Sequence, residues 1–384
     1  MQNKYHFALA CGGTGGHLTP GIALAQMLQS QGHKASLLVS NKQIDQEFIE
    51  LYPDMRFLWI PGHPPSRRLK SMMSCFTKTG TCVYKSSRFL RKERVNAIVG
   101  FGGFTSFGVG IASKLLGRPL ALHEANQVAG RSIRLLSRFA QRVYLPEGAS
   151  RKGIAVRNSQ IRRMGYPLRQ SICRMDCKVA RRKLEFEEGG RLLVVLGGSQ
   201  GSRSLNHWVD RHAQRLNEEG VNVCCITGPQ LRKPTVIKRL DCERKPVETR
   251  YIAFTDAIGV VLSAADLVVA RAGAGTIAEL AHCKVPSILV PYPYASDQHQ
   301  LANARAFEAK GCCFVIEETE LEKLYPRVRH LIFKPSLLED YREHMKAKGT
   351  NLSAYELAMD LENWMESLSV RQKLGFPDGA IHED

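Results

Sequence analysis

The 384-residue sequence has no apolar stretch approaching the roughly 18 residues that a membrane-spanning helix needs. Its most apolar run, Ile258 to Ala270, is interrupted by Asp266 and reads as a buried helix passing into a strand. Leu9-Ala10-Cys11 faintly resembles a lipoprotein cleavage site, but the apolar run Phe7 to Ala10 is too short for a signal-peptide core and reads as a first buried strand. Cysteine pairing is lacking as well. The eleven cysteines are odd in number and none form Cys-x-x-Cys, which argues against a disulfide framework and a zinc site. Cys224-Cys225 and Cys312-Cys313 lie in strand-like runs and read as small core residues. These features fit a cytoplasmic protein.

Acids are scarce: 36 Asp and Glu stand against 54 Lys and Arg, a formal net charge of +18. Such an excess favours a polyanionic partner, whether nucleic acid, anionic membrane or phosphorylated substrate. The cations cluster. Arg67 to Arg94 holds nine basic residues against Glu93, and Arg151 to Lys183 holds eleven against Asp176. The second cluster reads equally well as a solvated face. In the first, Met72, Met73, Phe76, Val83, Tyr84 and Phe89 interleave with the cations. That pattern suits an interfacial membrane helix, and it suits core packing with a basic rim equally well.

At this length two domains are expected. Strand and helix signals alternate, which indicates parallel sheets. Strand Phe7 to Cys11 leads through glycines to a helix from Pro20 to Gln31, with Thr19 as its cap and Gly32 as its end. Further strands read at Ala35–Val39, Ala97–Phe101, Leu120–His123 and Arg142–Leu145. The pattern restarts at Leu192–Leu196, with a helix from Ser204 and strands at Val221–Thr227, Arg250–Phe254, Leu267–Ala270, Ser287–Val290 and Cys313–Ile316. The basic stretch from Gly148 to Glu188 between the halves reads as a lobe end and a crossing. Leu357, Leu361 and Trp364 share one face of a late helix. The expected architecture is α/β, with two doubly wound, Rossmann-like lobes and a cleft between their strand C-terminal ends.

Four glycine-rich segments follow strands: Gly12-Gly13-Thr14-Gly15-Gly16, Gly102-Gly103, Gly197-Gly198-Ser199-Gln200-Gly201 and Gly273-Ala274-Gly275-Thr276. Glycines there let the backbone approach a ligand, and a helix N-terminus favours a phosphate. No Gly-Lys-Ser/Thr follows, which argues against a P-loop. The first segment lacks G-x-G-x-x-G spacing and no acid ends the second strand near Val39, which disfavours a dehydrogenase. His17, beside a helix N-terminus, should stay neutral and able to accept a proton, making it the candidate base. Thr276-Ile277-Ala278-Glu279 matches a capping box, so Glu279 reads equally as a helix cap or as a ribose ligand.

Taken in order, these segments resemble the MurG family of bacterial UDP-N-acetylglucosamine transferases, within glycosyltransferase family 28. The likeness comprises Gly12 to Gly21, Phe101-Gly102-Gly103-Phe104, His123-Glu124-Ala125-Asn126, Gly165 to Arg169, Gly197 to Gly201, Arg271 through Glu279, and Asp297-Gln298-His299-Gln300. The resemblance implies a GT-B fold and an inverting transfer without metal or other cofactor. N-acetylglucosamine would pass from UDP-GlcNAc to the 4-hydroxyl of an undecaprenyl-pyrophosphoryl-muramyl-pentapeptide, at the cytoplasmic face of the bacterial inner membrane. The enzyme would be peripheral on that anionic surface, touching it through Met72, Met73 and Phe76.

By the same likeness, residues 1–165 would bind acceptor and membrane, and 166–348 the UDP-sugar. Residues 349–368 would return to the first lobe, and 369–384 would form a tail. His17 would be the base or orient the acceptor, with Thr14, Gly15 and Gly16 lining the cleft. Gly102 and Gly103 would help hold the acceptor pyrophosphate. Asn126 would contact the donor sugar, Arg169 and Ser199 its phosphates, Glu279 the ribose and Gln300 the ribose or sugar. The backbone near Thr255 would meet the uracil, and Ala274, Gly275 and Thr276 would complete the donor site.

The sequence departs from the family at Ala125, where glutamine is usual, at Tyr166, usually asparagine, and at Ala272, usually serine. A glycolipid transferase or a UDP-sugar epimerase of the same fold is the rival enzyme reading. A nucleic-acid-binding protein is disfavoured, because no binding motif is recognisable and the basic clusters lie outside the glycine segments. A nucleotide-sugar sensor would have no need of a base at His17.

Overall fold

The computed structural model describes residues 3–12, 15–40, 49–61, 69–229, 231–346 and 353–373. Two seven-stranded sheets organise them. The first contains β1 (His6–Ala10), β2 (Lys34–Val39), β3 (Arg56–Trp59), β4 (Ala97–Gly100), β5 (Leu120–His123), β6 (Arg142–Leu145) and β7 (Ile161–Arg163). Its strands run parallel in the order β3-β2-β1-β4-β5-β6-β7. The second contains β8 (Arg191–Leu196), β9 (Val221–Ile226), β10 (Thr235–Leu240), β11 (Pro246–Ile252), β12 (Leu267–Ala270), β13 (Ser287–Leu289) and β14 (Phe314–Val315). Its order is β10-β11-β9-β8-β12-β13-β14, parallel except where β10 runs antiparallel to β11.

The helices of the first half are α1 (Gly15–Ser30), α2 (Leu69–Lys92), α3 (Gly103–Leu115) and α4 (Arg131–Leu136). The second half adds α5 (Cys177–Lys183), α6 (Arg203–Glu218), α7 (Ile258–Ala264), α8 (Ala274–Cys283), α9 (His299–Glu308), α10 (Leu324–Ile332) and α11 (Pro335–Lys346), and α12 (Ser353–Lys373) ends the described chain. They cover both faces of each sheet, because alternate strand residues point to opposite sides. Phe7 and Leu9 pack with α1 and α12, whereas Ala8 and Ala10 pack with α2, α3 and α4. In the second sheet Val194 and Leu196 face α7, α8 and α9, and Leu193 and Val195 face α6 and α10. The central strands β1, β4, β5, β12 and β13 are buried along their whole length and nearly all apolar, as burial on both faces requires, whereas the edge strands β3, β7 and β10 are not.

Helix α1 starts at Gly15, five residues earlier than expected, so Pro20 lies inside it and Thr19 is no cap. A proline there has no N–H for the carbonyl four residues back, that of Gly16. The Tyr166 hydroxyl reaches this carbonyl at 3.4 Å and shares a 2.7 Å hydrogen bond with Thr19 Oγ1. The capping-box reading of Thr276 and Glu279 also fails. Helix α8 begins three residues earlier, at Ala274 behind N-cap Gly273, and Glu279 lies in its middle.

In α2, Val83 and Phe89 pack into the first core while Tyr84 is exposed, so its C-terminal half is core-facing with a basic rim. The side chains of Met72, Met73 and Phe76 lie outside the described residues. The second cluster is only partly a solvated face. Arg181 is buried, pairs with Asp266 at 2.6 Å and donates to three backbone carbonyls, and Arg169 is buried in the cleft. Cys224, Cys225, Cys312 and Cys313 are buried.

Helix α12 lays Leu357, Leu361 and Trp364 into the first core beside Leu18 and Ile22 of α1. Asp360 fastens it. Its carboxylate pairs with Arg142, accepts from Tyr144 Oη at 2.7 Å and lies 3.6 Å from Arg162. The same Arg142 guanidinium sits 5.4 Å from the Trp364 ring centroid. Among the described residues no helix is long and apolar enough to cross a membrane.

Candidate active site between the lobes

In each sheet the direction of winding reverses at one point, between β1 and β4 in the first and between β8 and β12 in the second. Loops leaving such strands diverge to opposite faces and open a crevice at the strand C-terminal ends. The four glycine-rich segments are those four loops. They line one cleft of about 1420 Å³ shared by both lobes.

From the first lobe come Gly16 and His17, Gly102 and Gly103, and the turn Glu124 to Arg131. His17 lies in the first turn of α1, and its ring packs on the β4–α3 loop. Gly102 and Gly103 have φ of +96° and +74°, and a Cβ on Gly103 would come within 2.9 Å of the Gly12 carbonyl and 3.4 Å of the imidazole. Glycine is needed there on both counts. Behind this loop His123 is fully enclosed. Burial outweighs its backbone hydrogen bond to Gly165 and pushes its titration down to about 4, so it is a neutral core histidine.

From the second lobe come Gly198 and Ser199, Thr255, Ala274, Gly275, Thr276, Glu279 and Gln300, with Arg169 entering from the crossing segment. Two long helices, α6 behind N-cap Ser202 and α8 behind N-cap Gly273, direct their N-termini at the cleft. Their first-turn N–H groups suit a pyrophosphate. Burial pushes the Glu279 carboxyl up to about 7, against the opposing pull of the Arg169 guanidinium. Arg169 itself is held by Tyr52 Oη at 3.0 Å. Gln300 Oε1 accepts from Tyr292 N at 2.9 Å, which aims the amide nitrogen elsewhere.

All the described residues named from the sequence as cleft or donor contacts thus converge, save that Gly15 contributes only the first residue of α1. Thr14 lies outside the described residues. Among the described residues no group of three or more His, Cys, Asp or Glu side chains is placed to hold a metal ion.

Sequence reasoning gave no role to several polar side chains that shape this site. Arg271, at the end of β12, is buried and donates to Val290 O at 3.1 Å, Pro291 O at 3.3 Å, Ser202 Oγ at 2.9 Å and Ser204 Oγ at 2.8 Å, and it pairs with Glu318. One guanidinium therefore ties together three loops of the donor-side floor. Glu124 is also buried, and its carboxylate accepts from Asn126 N and Nδ2 at 2.9 Å and from Gly130 N at 2.7 Å. Asn303 of α9 bonds across to the first lobe. The signal for Arg271 was its place between a buried strand and a glycine turn. For Asn303 there was none.

Two Rossmann-like lobes facing one another across a cleft rimmed by helix N-termini define the GT-B fold. Residues 7–145 match the glycosyltransferase family 28 N-terminal domain and residues 192–358 the family 28 C-terminal domain. The chain belongs to glycosyltransferase family 28. It is 43% identical over 356 residues to the UDP-N-acetylglucosamine–N-acetylmuramyl-(pentapeptide) pyrophosphoryl-undecaprenol N-acetylglucosamine transferase of Opitutus terrae, covering 93% of this chain and 94% of that one. The enzyme of the same name from Neisseria gonorrhoeae is 35% identical over 328 residues, covering 83% and 87%. Among solved structures, Acinetobacter baumannii MurG superposes with a TM-score of 0.70 at 23% identity, over 94% of this chain and 99% of that one. The calicheamicin glycosyltransferase CalG4 gives 0.67 at 12% identity, covering 95% and 99%. These last two speak to the fold.

Proposed function

We propose that this chain transfers N-acetylglucosamine from UDP-GlcNAc to the 4-hydroxyl of an undecaprenyl-pyrophosphoryl-muramyl-pentapeptide, with inversion at the anomeric carbon. The observation that carries this is the meeting, in one cleft, of His17 from the first lobe with Arg169, Glu279 and two helix N-termini from the second. The family 28 relatives named above supply the substrate pair.

In this reading the acceptor hydroxyl attacks the anomeric carbon while the bond from that carbon to the UDP oxygen breaks. The electron pair leaves on the β-phosphate, and the hydroxyl proton passes to His17. Charge developing on UDP meets the N-termini of α6 and α8 and the Arg169 guanidinium, fixed dipoles and cations that need no reorganisation as the bond breaks. Glu279 holds the ribose, Asn126 and Gln300 the sugar, Ser199 the phosphates, and the backbone at Thr255 the uracil. Gly102 and Gly103, packed beside the His17 ring, take the acceptor pyrophosphate. Residues 1–165 form the acceptor lobe and 166–348 the donor lobe, with α12 returning to the first. The protein works as a peripheral enzyme on the anionic cytoplasmic face of the inner membrane.

A direct check uses UDP-GlcNAc labelled in the sugar and a short-chain lipid-linked muramyl-peptide in anionic vesicles. The label is expected to move into the lipid-extractable fraction, dependent on the acceptor. Label that stays in the aqueous phase as UDP-ManNAc would instead mark the epimerase rival.

A further inference from the structure

We infer that Asn303 is the positioning residue for Asn126, fixing that carboxamide across the lobe boundary so that recognition of the donor sugar depends on the lobes being closed. This rests on the donor-site reading above.

The supporting feature is a chain of hydrogen bonds whose direction is set at both ends. It begins at Gln127 N, a backbone donor, which bonds Asn303 Oδ1 at 2.9 Å. Asn303 must therefore present Nδ2 on its other side, where it donates to Ala272 O at 3.2 Å and to Asn126 Oδ1 at 3.0 Å. Asn126 in turn must present Nδ2 to Glu124, which accepts at 2.9 Å and cannot donate while ionised. The chain thus has one proton arrangement, running from a backbone N–H to a buried carboxylate. Asn303 is 5% exposed, so its own ends of these bonds are shielded from bulk water.

The consequence for the cleft is specific. Asn126 has one amide N–H and one lone pair of its carbonyl oxygen committed, leaving one N–H as its only free donor for a ligand. That N–H has a fixed direction only while Asn303, on α9 of the other lobe, holds the oxygen. When the lobes part, Asn126 keeps Glu124 but loses its second anchor. Closure and sugar recognition are then one event, and the uridine and phosphate contacts of the second lobe are outside it. The Arg134–Asp297 ion pair, 2.6 Å, also spans the lobes but is a third exposed and touches none of this chain.

The test is calorimetric titration of the full chain with UDP-GlcNAc and, separately, with UDP, for wild type, Asn303→Ala, Asn303→Asp and Arg134→Ala. Asn303→Asp is close to isosteric. It can accept from Gln127 N but cannot donate to Ala272 or Asn126, so it removes the two donated bonds without making a cavity. In both Asn303 variants the ratio of the UDP-GlcNAc dissociation constant to that of UDP is expected to rise about five- to tenfold, while UDP affinity itself stays within about twofold. Arg134→Ala is expected to leave the ratio unchanged. A ratio unmoved in either Asn303 variant, or equal weakening of both ligands, would overturn the inference and reduce Asn303 to a structural tie. A wild type that binds UDP but shows no heat with UDP-GlcNAc would overturn the donor reading itself.

Discussion

With Glu279 holding the ribose as proposed, donor binding is expected to be sensitive to pH in a range where most carboxylates are fully ionised. Its carboxyl titrates at about 7 because burial outweighs the attraction of Arg169. Only the ionised form accepts hydrogen bonds from both hydroxyls of a ribose diol. Its ionised fraction falls from about nine-tenths at pH 8 to about one-tenth at pH 6, so UDP-GlcNAc affinity is expected to fall about tenfold over that interval. The sugar nucleotide has no group of its own titrating there. In Glu279→Gln the amide offers one acceptor and one donor and carries no charge. Loss of one charge-assisted hydrogen bond, about 1.5 kcal/mol, weakens binding about tenfold at pH 8. The variant's affinity should then be flat with pH, and the two proteins should meet near pH 6. Calorimetric titration from pH 6 to 8 measures this directly. A wild-type affinity that does not change with pH, or a glutamine variant with the same slope, refutes the reasoning.

Three further outcomes follow from the same structure. His123 titrates at about 4 in the folded protein against 6.5 in the unfolded chain, so the unfolded state binds the extra proton and stability is lost as pH falls through that window. Urea unfolding at pH 7 and 5 should differ by about 2 kcal/mol more in wild type than in His123→Gln; equal differences would show that this histidine is not buried neutral. Asp360→Ala leaves Arg142 and Tyr144 without their partner and should cost about 2–3 kcal/mol, with proteolysis beginning near α12. Cleavage elsewhere, with unchanged stability, would contradict the fastening role. Arg271→Lys cannot span Val290, Pro291, Ser202 and Ser204 together and should raise the KM for UDP-GlcNAc about tenfold with little change in that for the acceptor. Equal changes in both would place its effect outside the donor floor.

Much of the fold was legible because its strands are buried on both faces. Leu120–His123, Arg142–Leu145 and Leu267–Ala270 stand out as short apolar runs between breakers, and they occur where expected. The strands that were missed lack that signature. β3, β7 and β10 are at sheet edges, and cations interrupt the last two, as in Ile161-Arg162-Arg163 and Thr235–Leu240. The start of α1 was misplaced because a proline marked it, and local rules cannot foresee a tyrosine 150 residues away serving the carbonyl that proline leaves bare. For the site, the glycine loops and the place of His17 beside them could be read from order and spacing, whereas Glu279 read equally as a cap and as a ligand, and only its place in the middle of α8 removes the cap. The titration of Glu279 and the ties made by Arg271 and Asn303 depend on which chains enclose them, and sequence spacing carries no trace of that.

The account stands most directly on His17. The decisive measurement is single-turnover transfer of labelled N-acetylglucosamine to a lipid-linked muramyl acceptor by wild type and His17→Ala, with UDP-GlcNAc binding measured on the same preparations. Loss of a general base is expected to slow transfer about 10²- to 10⁴-fold while donor affinity stays within about threefold. Transfer by His17→Ala at close to the wild-type rate would contradict the central claim that this cleft carries out the displacement with His17 taking the proton.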